Sequence, residues 1–312
     1  MGHKHHHRVD PEAGDRQVGL AVAINMGLTV VQIVGGVLSG SLALIADALH
    51  NFSDAISLII AFAARRIARR PATAEMSFGY GRAEIVAALI NYTTLIVIGL
   101  YLLYEAVMRF FEPTGVDGWI VVVIAGVALA VDLATALLTF RLSRSSMNMR
   151  AAFLHNVADA LGSVAVIFAG TLIILYDWRL IDPIVTLLIA GYILWQAFAE
   201  IGGPIRILML GSPPGLEGGQ VIAAIRGVDG VSDVHRAHIW QLDEHRPALD
   251  AHIVIAAGRW AEADALKGHI KARLHEDFDI DQTTLELECS GHACSGERLF
   301  GREGHAPHPE GA

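Results

Sequence analysis

The chain has 312 residues, 53% of them hydrophobic and 18% charged, with a formal net charge of −9 and a mean hydropathy of +0.46. Soluble domains carry about 25% charged residues, so this composition excludes an ordinary soluble globule. The acidic balance, with no basic stripe interleaved with aromatics, excludes a nucleic-acid-binding chain.

The N-terminal stretch MGHKHHHRVD holds four histidines, and residues 1–17 read as a His-rich tail, either simply solvated or collecting metal loosely. Long apolar runs then fill the first two thirds of the chain. About 20 mostly apolar residues cross the roughly 30 Å of a bilayer's hydrocarbon, and six segments qualify: 18–38, 42–65, 83–108, 118–140, 152–176 and 183–205. The first is too long and too interrupted (Asn25, Gln32) for a cleaved signal peptide, and it lacks a small-residue cleavage site. Arginines near the span ends set orientation. Arg65, Arg66, Arg69, Arg70 and Arg82 lie between spans two and three, and Arg141, Arg144 and Arg150 between four and five. Arg109 and Arg179 alone lie on the other side. Both termini are therefore expected in the cytoplasm, as six spans also require. The two cysteines, Cys289 and Cys294, fall on that reducing side, where a structural disulfide is not expected.

Residues 18–208 thus read as a six-helix transmembrane domain. Gly211-Ser212-Pro213-Pro214-Gly215 breaks the chain into a second domain, 209–290. There the patterning predicts a helix over 216–227, strands over 231–242 and 248–257, a helix over 261–276 and a strand over 282–289. The order α-β-β-α-β describes a small two-layer, ferredoxin-like α+β domain. The Gly-, Pro- and His-rich stretch 291–312 reads as a flexible tail, and free thiols are the reading given to its CSGHAC segment.

Of fifteen histidines only His50 and His155 fall inside the spans, and each has an aspartate four residues later, Asp54 and Asp159. On a helix these positions share one face. Two such helices packed together offer two nitrogens and two oxygens, a tetrahedral set suited to Zn²⁺. The blander alternative is a pair of buried His–Asp contacts that only join helices. The same H-x-x-x-D spacing at His6/Asp10 and His275/Asp279 lies outside the spans and reads as coincidence. An ionisable group within the bilayer is costly to bury and marks a pathway or a pairing. Asp47, three residues before His50, and Asp132, in the middle of the fourth span, are therefore candidate supporting or proton-relay residues. Asn25 on the first span is a third.

The stretches SGSLALIADALHNFSDAISL, FGYGRAEIVAALIN and NMRAAFLHNVADALGSVAVI, in that order, resemble the cation diffusion facilitator family, bacterial zinc-efflux branch. The resemblance runs from about residue 18 to 289. It implies a homodimeric metal/proton antiporter in the bacterial inner membrane, Zn²⁺ being both its cargo and a regulatory ligand. The transport site would be His50, Asp54, His155 and Asp159, between the second and fifth helices. By resemblance, too, the cytoplasmic domain dimerises and binds metal at His235, His252 and Glu288, while Glu286 stands where some relatives have histidine. A neutral amide is commoner than Asp132 at that position. The loop between spans two and three, which holds a further metal site in some relatives, offers only Glu75. Co²⁺, Cd²⁺, Fe²⁺ or Ni²⁺ as cargo, or a membrane metal sensor, remain alternatives. Without H-E-x-x-H, G-x-S-x-G or a P-loop, neither a metallohydrolase, a serine hydrolase nor an ATP-driven pump is indicated.

Overall fold

Continuous apolar sequence becomes helix wherever lipid is its solvent, because only a helix satisfies its own backbone there. In the computed structural model, which describes residues 26–143, 147–291, 293, 299 and 300, the first such helix is α1 (Met26–Ser39). It is followed by α2 (Leu42–Ala68), α3 (Ala83–Phe111), α4 (Gly118–Ser143), α5 (Met147–Tyr176) and α6 (Ile181–Glu200). Helices α2 to α6 are each long and apolar enough to span a membrane. For α1 the described part is shorter, and the remainder of its expected span, with Asn25 and the N-terminal tail, lies outside the described residues. The helices outrun the apolar windows that predict them: α5 begins at Met147, not 152, because a helix continues through polar residues beyond the lipid boundary. The sixth span was expected to reach 205. The helical apolar stretch Ile181–Leu208 covers it, with one interruption at Ile201 between α6 and a short α7 (Gly202–Leu208), beside Gly202-Gly203-Pro204, two poor helix formers and a residue without an N–H.

Two compact units divide the chain: residues 1–63 with 87–201, and residues 64–86 with 202–312. In the first, α2 is packed on two sides. Ala43 and Leu44 join Val121, Ala125, Val166, Ala169 and Val185 of α4, α5 and α6, while Leu42 and Ala46 join Leu95, Leu102, Ala190 and Ile193 of α3 and α6. Alanines at this interface let backbones approach closely. Helices α4 and α5 approach closely, and a Cβ on Gly118 would lie 2.6 Å from the Gly170 carbonyl oxygen. The α1–α2 turn needs Gly40, whose φ is +72° and whose added Cβ would meet the Gly115 carbonyl oxygen at 2.5 Å. The opposite helix faces expose Val34, Phe62, Val97, Leu137, Phe168 and Phe198. Such a surface suits lipid. Trp119, Tyr176 and Trp178 cluster in sequence around the α3–α4 and α5–α6 connections, where an interfacial aromatic belt is expected.

The second unit contains α8 (Gly218–Arg226), β1 (Val231–Gln241), β2 (Pro247–Ile255), α9 (Ala263–Phe278) and β3 (Gln282–Cys289). Element order and type are those expected, with boundaries shifted by up to two residues. The sheet order is β1-β2-β3, with β1 antiparallel and β3 parallel to β2. Val221, Ile222 and Ile225 of α8 and Ile270 and Leu274 of α9 cover one sheet face, meeting Val234, Ile239, Leu249 and Ile253. The β1–β2 register shifts between His235 and His238, where Arg236 has a φ of +47°. This bulge adds one residue. It turns His235 and His238 to the same face, which simple alternation would not do.

Residues 64–86 belong with this unit, not with the helices they connect. Arg82 Nε and Nη2 donate to the carbonyls of Leu242 and Gln241, at 3.1 Å each, in the β1–β2 hairpin. Burial works to raise the Asp243 pKa in that hairpin, but the Arg246 guanidinium and the backbone N–H groups of His245 and Arg246 outweigh it and hold the carboxyl below the usual range. Within the stretch read as a flexible tail, the Leu299 carbonyl accepts from the Ala237 N–H at 2.8 Å, and Phe300 lies beside Gly218 and Ile239.

Candidate metal sites

Positions 50 and 54 of α2 and 155 and 159 of α5 each stack one turn apart, and the packing of these helices brings all four side chains together. His50 Nε2 lies 3.3 Å from Asp159 Oδ1, and His155 Nε2 lies 3.2 Å from Asp54 Oδ2. Within each helix the histidine–aspartate distances are 3.7 and 3.4 Å. Each imidazole thus faces both carboxylates. Donors bound at about 2.0–2.1 Å around a tetrahedral Zn²⁺ stand about 3.3 Å apart, and the four histidine–carboxylate distances of 3.2–3.7 Å are close to that, while the two imidazole rings stand 6.2 Å apart between centroids. His50, Asp54 and Asp159 have ligand atoms mutually within 4.8 Å, and His155 closes the set through its two carboxylate contacts.

Burial is graded across the site. The side chains of Asp159 and His50 are 10% and 11% exposed, those of Asp54 and His155 26% and 41%, so the cluster opens on the Asp54–His155 side. His50 Nδ1, Asp54 Oδ2 and Asp159 Oδ1 are buried without hydrogen-bond partners. Oxygens left in this state are costly unless a cation takes them.

Around the four ligands lies a second polar layer. Asp47 is buried and accepts a hydrogen bond from Gln32 Nε2 of α1 at 2.6 Å, and Gln32 Oε1 accepts from Asn51 Nδ2 at 3.3 Å. On the α4 side, Asp132 is buried and accepts from Ser163 Oγ of α5 at 3.0 Å. The neighbouring Gly162 is the residue that Asp47 Oδ1 approaches, 3.2 Å from where a Cβ would stand. Consecutive residues of α5, one turn beyond Asp159, therefore touch the two carboxylates singled out in the sequence. Sequence reading missed Gln32, Asn51 and Ser163 as partners in this layer; a fully buried amide in an apolar helix was the signal for Gln32. Tyr192 of α6 adds a ring 6.3 Å from His50.

In the second unit His235, His252 and Glu288 meet on the sheet face turned away from α8 and α9, their ligand atoms mutually within 4.8 Å. His235 and His252 are register partners. Glu288 places one oxygen 3.3 Å from His235 Nε2 and the other 2.6 Å from His252 Nδ1. Glu286 lies 3.2 Å from His252 Nε2, so the two nitrogens of one imidazole face two carboxylates of β3. His238 is exposed opposite Asp250 and stays out of this cluster. Cys289 ends β3; His292 and Cys294 lie outside the described residues. The His275/Asp279 pair meets Asp281 on the surface, all three exposed.

Residues 18–209 match the cation efflux transmembrane domain, and residues 213–289 match the cation efflux protein cytoplasmic domain. The chain belongs to the cation efflux family. It is a multi-pass membrane transporter and not an enzyme. Among its relatives, the Bacillus subtilis "Cadmium, cobalt and zinc/H(+)-K(+) antiporter" is 34% identical over 94% of this chain and 93% of its own. The Escherichia coli zinc transporter ZitB is 33% identical over 99% of both chains. The Cupriavidus metallidurans metal cation efflux system protein CzcD is 33% identical over 92% of this chain and 90% of its own. The two family domains meet between residues 209 and 213, at the glycine–proline break that the sequence marks. A four-ligand site supplied wholly by protein leaves no open position for an activated water. That is the chemistry of holding an ion and releasing it.

Proposed function

We propose that this cation efflux protein exports a divalent metal, Zn²⁺ above others, in exchange for protons, and that His50, Asp54, His155 and Asp159 carry the ion. The reciprocal contacts of two imidazoles with two carboxylates, at 3.2–3.7 Å between and within α2 and α5, are the observation that carries this reading. Mixed nitrogen and oxygen donors also accept Co²⁺, Cd²⁺, Fe²⁺ and Ni²⁺, but tetrahedral geometry favours Zn²⁺. Similarity to ZitB and to the Bacillus antiporter, both named for zinc, supports the assignment.

Proton exchange follows from the ligand types. Zn²⁺ requires neutral imidazole and ionised carboxylate, so metal and protons compete for the same atoms. Histidine ordinarily titrates near pH 6.5. A site opened to an acidic exterior takes up protons and gives up its metal; opened to a near-neutral cytoplasm, it loads again. The arginines around the α2–α3 and α4–α5 connections support termini in the cytoplasm, in a bacterial inner membrane. The cytoplasmic domain joins two copies into a homodimer.

Purified protein in vesicles, carrying an internal metal indicator, tests this. Zn²⁺ flux should rise with an imposed pH gradient of the exchanging sign and reverse with it. Flux indifferent to the gradient would refute proton exchange.

His235, His252 and Glu288 are proposed as a regulatory metal site on the cytoplasmic domain, with Glu286 orienting His252. Equilibrium dialysis should find His252→Ala binding one Zn²⁺ fewer per protomer than wild type, and His252→Ala/Asp159→Ala two fewer. Unchanged binding in the single variant would remove this cluster from the metal sites.

A further inference from the structure

A carboxylate outside both clusters has the lowest exposure of any acid among the described residues of the bundle. Asp182, second residue of α6, is 1% exposed. Its Oδ1 accepts from Ser41 Oγ at 2.5 Å and from the Ala43 N–H at 3.3 Å. Its Oδ2 accepts from the Leu42 N–H at 2.9 Å and from Arg109 Nη1, at the end of α3, at 3.4 Å. Arg109 also donates to the Gly40 carbonyl, and Ser41 Oγ accepts from the Leu44 N–H at 3.1 Å. The preceding turn is tied as well, since the Asp117 N–H donates to the Ser39 carbonyl at 2.8 Å.

The first N–H groups of a helix have no partner within it. Here they are taken by an anion that belongs to another helix, at the terminus where negative charge is favoured, with an arginine from a third helix balancing it. The start of α2 is therefore bound to α3 and α6 through one carboxylate. His50 follows Leu42 by eight residues, roughly 12 Å along the helix at 1.5 Å per residue. A shift or tilt at this end moves His50 and Asp54 relative to His155 and Asp159.

We propose that Asp182 is the positioning residue of the transport site. It is the fixed end about which α2 turns, and it sets the distance between the two halves of the ligand square. Were α2 to leave it, a carboxylate 1% exposed and two backbone donors would lose the partners they have in the folded bundle, which is costly at so little solvent contact. This contact is therefore kept while the other end of α2 moves. The proposal rests on the metal-site reading given above.

Full-length Asp182→Ala, Asp182→Asn, Ser41→Ala and His50→Ala in vesicles test it, with Zn²⁺ KM and Vmax measured, and with the tetrahedral absorption of Co²⁺ recorded on the purified proteins. Asp182→Ala should raise KM tenfold or more and weaken the Co²⁺ band. Asp182→Asn, which keeps one acceptor oxygen for the α2 donors but sets an N–H₂ against the donors on the other side, should recover part of the KM. Ser41→Ala, which removes one donor to Asp182 and the Oγ that accepts from the Leu44 N–H, should raise KM two- to fivefold. A purely structural role would lower Vmax through lost protein, leaving KM and the band shape alone. Wild-type KM and spectrum in Asp182→Ala, or in Ser41→Ala should the first variant fail to insert, would overturn the proposal. His50→Ala separates the two readings. If it too transports normally, the metal site is misassigned; if it is silent while Asp182→Ala is normal, only the role of Asp182 falls.

Discussion

Asp159→Ala and His50→Ala are each expected to reduce Zn²⁺ transport to the background of protein-free vesicles. Losing one of four ligands does more than weaken the site. Removing Asp159 takes away the carboxylate 3.3 Å from His50 Nε2 and 3.4 Å from His155 Nε2. Both imidazoles are left facing Asp54 alone. Loss of an outer-layer partner typically costs about 10–100-fold in metal affinity, and loss of a ligand should exceed that. His50→Asp is expected to behave differently, because it keeps a donor at the same turn of α2. Three carboxylates and one imidazole form a harder, less geometrically demanding set, so Mn²⁺ flux should rise relative to Zn²⁺. Competition among these ions, measured in the same vesicles, checks both statements. Normal transport by Asp159→Ala would mean that the ion passes elsewhere.

How much of this was legible beforehand depends on whether a feature lives within one helix or between two. The His50/Asp54 and His155/Asp159 pairs are separated by one helical turn, so their common face follows from spacing alone, and the cost of burying them suggested their meeting. The strands of the cytoplasmic domain were equally visible in alternation. Contacts across helices left no such mark. Gln32 reads as a polar interruption of an apolar run; only packing shows that it joins Asp47 to Asn51. Asp182 fell one residue before the predicted start of the last span, and nothing local to it indicates that it serves the first turn of α2. The bulge at Arg236 decides which β1 side chains share a face, and no residue pattern announces it. Arg82 counted in the sequence only as a topological charge, yet its guanidinium joins the α2–α3 connection to the β1–β2 hairpin.

Asp132→Asn is expected to leave Zn²⁺ KM within about threefold of wild type (about 0.6 kcal/mol of binding) while lowering the number of protons exchanged for each metal ion. The argument is one of charge. Asp47, Asp54, Asp132 and Asp159 bring four carboxylates into the bundle, and among the described residues no lysine or arginine is hydrogen-bonded or ion-paired to any of them. In the metal-free site none of the four is balanced by a cation, at a cost on the order of 2.5–3.5 kcal/mol for each charge by insertion scales. Protons on Asp47 and Asp132 remove that cost, and a divalent ion arriving on the ligand square adds two positive charges beside them and favours their release. Because Ser163 donates to Asp132 and Gln32 to Asp47, each aspartate keeps a partner whether charged or neutral, as a group that cycles between the two must. Asparagine at 132 preserves the shape and can still accept from Ser163, so the ligand square is undisturbed while one exchangeable proton is lost. Asp47→Asn is the less clean variant, since an amide there would set one N–H₂ against that of Gln32. The pH gradient that just halts Zn²⁺ flux gives the stoichiometry directly. An Asp132→Asn protein with the wild-type halting gradient would show that Asp132 holds its proton throughout the cycle, and the exchange would then belong to His50 and His155 alone.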